Sequence, residues 1–155
     1  MIYDREEFGR GPAQQEQRTL ARRQSSGENI GSAVTLNLRE PLPAIKRLTE
    51  AIEEHWKAML HAAIAEAARQ GPLPRFKKAM VEIEIVTPRG NNNVRVWDTS
   101  NRAIQVILNN LKGIFFQDDD MEHMAFSVVG RWGEAGSTVI RVSDFEAYRR
   151  GTADR

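Results

Sequence analysis

The chain has 155 residues, 41% hydrophobic and 28% charged, with a formal net charge of +1 and no cysteine. That length and balance fit one ordinary domain able to bury a core. They exclude disulfides, thiolate nucleophiles and thiolate zinc sites, give no global electrostatic pull towards nucleic acid, and leave no apolar run able to span a membrane.

A cysteine-free chain suits a cytoplasmic setting, and the charged opening (Asp4, Arg5, Glu6, Glu7) has no apolar run after it of the kind a secretory signal needs. Residues 1–31 read as a flexible polar arm, with Gln14, Gln15 and Gln17, several glycines, and Ser25-Ser26-Gly27. Thr19 to Gln24 could form a short helix there; Arg22 and Arg23 would either touch DNA or another subunit, or simply be solvated. Residues 32–148 read as one domain and 149–155 as a tail.

Ala33 to Leu38 alternates and predicts a strand, broken by Pro41 and Pro43. A long helix is expected from Ala44 to Gln70, carrying Ile45, Leu48, Ile52, Trp56, Met59, Ala63 and Ala67 at helical spacing. His55 and His61 lie on it too far round from one another to act as a metal pair. Gly71, Pro72 and Pro74 stop it. Lys77 to Thr87 is a strand with Val81, Ile83 and Ile85 on one face and Glu82 and Glu84 on the other, either as a wet sheet face or as an extension of an acidic site.

After the loop from Pro88 to Asn93, Val94 to Trp97 is a short strand leading into Asp98. Ile104, Ile107, Leu108 and Leu111 form one apolar helical stripe; Asp98, Thr99 and Ser100 offer the N-cap, and Gly113 offers a left-handed stop. Ile114 to Phe116 reads as a short buried strand delivering Asp118, Asp119 and Asp120 to a loop. Met121 to Trp132 contains a strand, Gly133 to Gly136 a turn, and Ser137 to Val142 a strand pairing back as a hairpin. Phe145 and Tyr148 could pack a final short helix. The order strand-helix-strand-strand-helix-strand-strand predicts an α+β fold with a mixed sheet packed by two main helices.

The chemistry-bearing stretch is Asp98 to Asp120. A helix folding back would gather Asp98, Asp118 and Asp119 into one acidic cluster, and such a cluster persists when a hard divalent cation neutralises it. Mg²⁺ held there, or Mn²⁺, could activate water and stabilise a phosphoryl transition state. The competing reading is plain: Asp98 caps the helix and Asp118 to Asp120 form a solvated turn.

The same stretch resembles the RusA family of Holliday-junction resolvases, small endonucleases common in prophages. The family pattern is Asp-x-Asp-Asn-x-x-Lys, a helix ending near Leu-x-Gly, then Asp-Asp. Asp98 and Asn101 match the first aspartate and the asparagine, Leu111-Lys112-Gly113 matches Leu-x-Gly, and Asp118-Asp119 matches the closing pair. The resemblance covers about residues 33–143. Two positions depart from it. Ser100 stands where the family has its second aspartate, and Ile104, or Gln105 with one extra helical residue, stands where it has its lysine. Asp98, Asp118 and Asp119 would then hold one Mg²⁺, helped by Asp120 or Glu82. The resemblance implies a homodimer that binds and cuts branched DNA, with Lys77, Lys78, Arg89, Arg95, Arg102 and Lys112 meeting phosphates; the departures leave open a RusA-like module that binds DNA or protein without cutting.

Overall fold

A computed structural model describes residues 12–89 and 101–153. Helix α1 (Pro12–Gln24) leads into strands β1 (Ser25–Asn29) and β2 (Ala33–Leu38). A 3₁₀ turn (Ile45–Arg47) precedes the long helix α2 (Glu50–Gln70) and strand β3 (Ala79–Pro88). Helix α3 (Ile104–Leu111), strands β4 (Met124–Gly133) and β5 (Ser137–Asp144), and helix α4 (Phe145–Ala153) complete the chain. The fold is α+β. One five-stranded mixed sheet runs in the order β1-β2-β5-β3-β4, antiparallel except for the β3–β4 pair.

The alternation in the sequence sets which sheet face is covered. Val34, Leu36, Leu38, Val81, Ile83, Ile85, Ile140 and Val142 point one way, since residues two apart on a strand share a face. They form one core with Trp56, Met59, Leu60, Ala63 and Ala67 of α2 and Val106, Ile107, Leu108 and Leu111 of α3. The opposite face carries ion pairs between neighbouring strands, Arg141 Nη1 to Glu82 Oε2 at 3.3 Å and Arg131 Nε to Glu84 Oε1 at 2.9 Å. Glu82 and Glu84 are therefore the wet face of the sheet, turned away from α3, and Glu82 does not join an acidic cluster there. Among the described residues no helix is long and apolar enough to cross a membrane.

Several elements differ from the sequence reading. The long helix starts at Glu50, not Ala44. Thr49 sits in extended conformation and its Oγ1 accepts from Ile52 N at 3.2 Å, so this N-cap fixes the start, and Ile45 to Arg47 close a separate 3₁₀ turn. Ile114 to Phe116 form a turn rather than a strand: Gly113, at φ 82, donates its N–H to Phe116 O at 2.7 Å, which drives Phe115 and Phe116 into the core.

Strands β4 and β5 are not a hairpin. β5 lies between β2 and β3, so residues 134–136 pass over the end of β3. The crossing is tight: a Cβ on Gly133 would lie 2.5 Å from Val86 Cγ1, and one on Gly136 would lie 2.7 Å from Pro41 Cδ. Helix α3 begins at Ile104 with Ala103 as its N-cap and no side-chain cap, rather than at Asp98 to Ser100. Its start is held instead by backbone: Ala103 N donates to Pro43 O at 2.9 Å and Arg102 bridges Ala44. The strand expected at Val94 to Trp97 lies outside the described residues.

The segment read as a polar arm contributes both α1 and the edge strand β1. Its apolar content is small, and polar contacts hold it. Asn29 Nδ2 donates to Ala67 O (3.3 Å), Gly71 O (3.0 Å) and Pro72 O (3.2 Å), satisfying carbonyls at the C-terminal end of α2 that no helical N–H can reach. Gln70 answers with Nε2 to Gly27 O at 2.8 Å, while its Oε1 accepts from Asn29 N at 2.9 Å. Gly27 lies directly under α2, where a Cβ would be 2.0 Å from Ala63 O. At the other terminus α4 runs to Ala153, through residues read as tail.

Candidate functional site

Helix α3 has two faces. Val106, Ile107, Leu108 and Leu111 are buried. Gln105, Asn109 and Lys112, at i, i+4 and i+7, form a polar stripe on the outer side. After the Gly113 turn the chain doubles back, and Asp119 comes to lie along that stripe. Gln105 Nε2 donates to Asp119 Oδ2 at 2.8 Å, across 14 residues of sequence, and to Asn109 Oδ1 at 2.9 Å. Lys112 Nζ stands 4.0 Å from Asp119 Oδ1. Asp119 N donates to Asp118 Oδ1 at 2.9 Å, so the two carboxylates form one acidic corner.

These contacts favour the ionised form of Asp119. Its carboxyl is held below the usual aspartate range, chiefly by the Gln105 hydrogen bond, then by Asp118, with Lys112 adding a smaller attraction. Asp120 is turned to another task. Its Oδ1 accepts from Glu122 N at 2.9 Å, from His123 N at 3.1 Å and lies 2.7 Å from His123 Nδ1. That lowers its pKa, with the His123 side chain the main cause, and stitches the turn leading into β4.

Asp98 and Ser100 lie outside the described residues, as does Arg95. Asn101 is described and exposed, at the entry to α3. Of the two positions that could correspond to the family lysine, Gln105 is the one that reaches Asp119.

The start of α3 is set by a chain of buried contacts. Thr138 Oγ1 donates to Glu40 O at 2.8 Å and accepts from Leu42 N at 2.9 Å. Leu42 O in turn accepts from Arg102 Nη1 at 2.9 Å. Burial, followed by the nearby charge of Arg47, lowers the pKa of Arg102, whose guanidinium is thereby a structural strut as well as a cation.

The other basic candidates do not converge. Lys77 and Lys78 precede β3 and Arg89 follows it, and a strand of that length separates its ends by roughly 30 Å. Lys78 Nζ sits 4.3 Å from the Phe145 ring centroid, and the Arg89 guanidinium 5.0 Å from that of Trp132. Among the described residues, Lys112 is the basic candidate that stands beside the acidic corner.

Among the described residues, no three His, Asp or Glu side chains gather into a group that could hold a metal ion. The donors present are the adjacent Asp118 and Asp119 carboxylates. That suits Mg²⁺, which takes one or two carboxylates and completes its shell with water and substrate phosphate, better than it suits a cation needing a full protein cage. Sequence reading missed Asn109 and His123. The first was legible as the middle of the polar stripe opposite the apolar one, and the second as a partner at i+3 from Asp120. No family model matches the chain, and no curated protein matches it.

Proposed function

We propose that this protein is a divalent-metal-dependent endonuclease of the RusA type that cuts branched DNA as a homodimer. The observation that supports this most is the Gln105–Asp119 contact. It brings the second acidic element of the motif onto the helix that follows the first, as the reading requires. Asp118 and Asp119 would hold the metal, with Asp98 as the third ligand. When bound, Mg²⁺ or Mn²⁺ supplies a hydroxide-generating Lewis acid beside the scissile phosphate. Gln105 orients the Asp119 carboxylate and favours its ionised form, and Lys112 offers a cation for the phosphate. Two copies related by a twofold would match the near-twofold symmetry of a four-way junction.

A second reading is favoured by one observation: the residue facing Asp119 from the first turn of α3 is a neutral amide, not a cation. On that reading the protein binds branched DNA or a protein partner without cutting. Incubation of a synthetic four-way junction with Mg²⁺ or Mn²⁺ separates the two. Metal-dependent nicking that disappears in Asp119→Asn supports the nuclease; undiminished nicking in that variant removes the site. Salt-sensitive binding with no nicking selects the second reading.

A further inference from the structure

Helices α1 and α2 pack against each other through Ala21, which is buried in the core, but their outer faces stand apart. Between them runs a trough of about 700 Å³ floored by small side chains, Ala21 of α1 and Ala58, Ala62 and Ala65 of α2. The alanine side chains are short, so they leave room between the longer side chains that flank them on the two helices. Its rims are cationic. Arg18 and Arg22 project from α1, and Lys57 and Arg69 from α2, against two carboxylates, Glu54 and Glu66; His61 lies between them.

Among the described residues, none of these four cations forms an ion pair or hydrogen bond with a protein group, although two glutamates line the same trough. Arg18 and Arg22 are four apart on α1. Like charges at that spacing repel by a few tenths of a kcal/mol, and a bound anion between them relieves it. Lys57 to Arg69 spans roughly 18 Å of helix. That is the axial rise of about five phosphates on one strand of a duplex.

We infer that the α1–α2 trough docks a nucleic-acid phosphodiester backbone. The surface is separate from the Asp118–Asp119 corner, none of whose residues line it. The inference rests on the nucleic-acid half of the reading above and not on cleavage. It gives the protein a second backbone contact, able to hold one arm of a branched substrate while another meets α3.

The test is fluorescence anisotropy of a labelled four-way junction and a labelled single strand, in EDTA so that no cutting intervenes, across 50–200 mM salt. The trough variant Arg22→Gln/Lys57→Gln is compared with Lys46→Gln/Arg150→Gln, which removes the same charge elsewhere. The trough variant is expected to bind about tenfold more weakly, with a salt slope shallower by about two, and the other variant to stay near wild type. Equal affinity and equal slope in the two variants would overturn the proposal, as would a wild-type protein that binds neither DNA. Polyglutamate displacing the DNA from the trough at equal charge would overturn it in favour of an acidic protein partner.

A second measurement needs no variant. In wild-type protein, bound DNA should slow acetylation of Lys57 several-fold while leaving Lys46 unchanged; equal rates would count against the trough. Failure here with nicking retained leaves the nuclease standing. Trough-dependent binding without nicking leaves the trough standing and removes the nuclease.

Discussion

Gly27→Ala tests how the segment from Pro12 to Asn29 is held. The added methyl would sit 2.0 Å from Ala63 O, 3.0 Å from Ala63 C and 3.1 Å from Ala67 N. A carbon normally approaches an oxygen no closer than about 3.2 Å, and helix backbone cannot yield as a flexible side chain can. β1 must therefore move by more than an ångström. It is an edge strand whose one partner within the sheet is β2, so it can lift. Lifting it would break the bonds of Asn29 and Gln70 to the opposite element.

Overpacking of this kind costs about 3 kcal/mol. For a chain of this size that lowers Tm by roughly 6–12 °C, measurable by calorimetry. Gly31→Ala is the comparison. Gly31 adopts φ 83 with open space around its Cβ position, so only left-handed strain is felt, about 1 kcal/mol and a few degrees. If Gly27→Ala melts within 2 °C of wild type, or no lower than Gly31→Ala, then β1 does not press on α2 as described and the account of the arm is wrong.

Thr138→Val removes the acceptor of Leu42 N at a site with no exposure, and should cost about 2–3 kcal/mol, read from urea unfolding with unchanged m-value. Phe115→Ala empties a fully buried aromatic site and should cost about 3–5 kcal/mol by the same assay. Gln105→Leu removes the main support for ionised Asp119, so the Asp119 carboxyl pKa, followed by NMR, should rise towards the ordinary aspartate value; an unchanged titration would refute the contact. The sign for stability follows. A depressed folded pKa contributes stability that is present above the unfolded value, about 3.9, and lost as pH falls through the folded one. Gln105→Leu should thus lower stability slightly above about pH 4 and make no difference once pH falls below the folded value, so that the loss on acidification is shallower than in wild type.

The sheet core was legible because period-two alternation is strict in Ala33 to Leu38 and in Val81 to Ile85, and one buried face demands it. α3 was legible from its apolar stripe. The β5 position was not: a short link between two strands ordinarily makes a hairpin, and only the close approach at Gly133 and Gly136 lets the chain cross the end of β3 instead. The order of the segment from Pro12 to Asn29 is not legible from its apolar content. Asn29 and Gln70 hold it by satisfying backbone groups, and nothing in the local sequence announces a partner more than 40 residues away. At the site, the acidic turn after Gly113 is legible in the sequence, while the Gln105–Asp119 contact across 14 residues and the dispersal of Lys77, Lys78 and Arg89 along β3 are not.

One physical consequence joins the two surfaces. α2 packs against both α1 and α3, so the trough and the acidic corner are positioned by the same helix. The Asn29 clasp sets the α1 side through β1, and the Thr138–Leu42–Arg102 chain sets the α3 side. Neither uses a residue of the trough floor or of the acidic corner. Mutations in the two struts should therefore act selectively. Asn29→Ala should loosen α1 and weaken DNA binding through the trough while leaving the Asp119 titration unchanged. Thr138→Val should free the start of α3 and shift the Asp119 titration while sparing Lys57 protection. Hydrogen exchange of α1 and α3 amides in the two variants reads this directly. Parallel loosening of both helices in either variant would mean that α2 transmits the disturbance, and that the two surfaces are one cooperative unit rather than two independently braced ones.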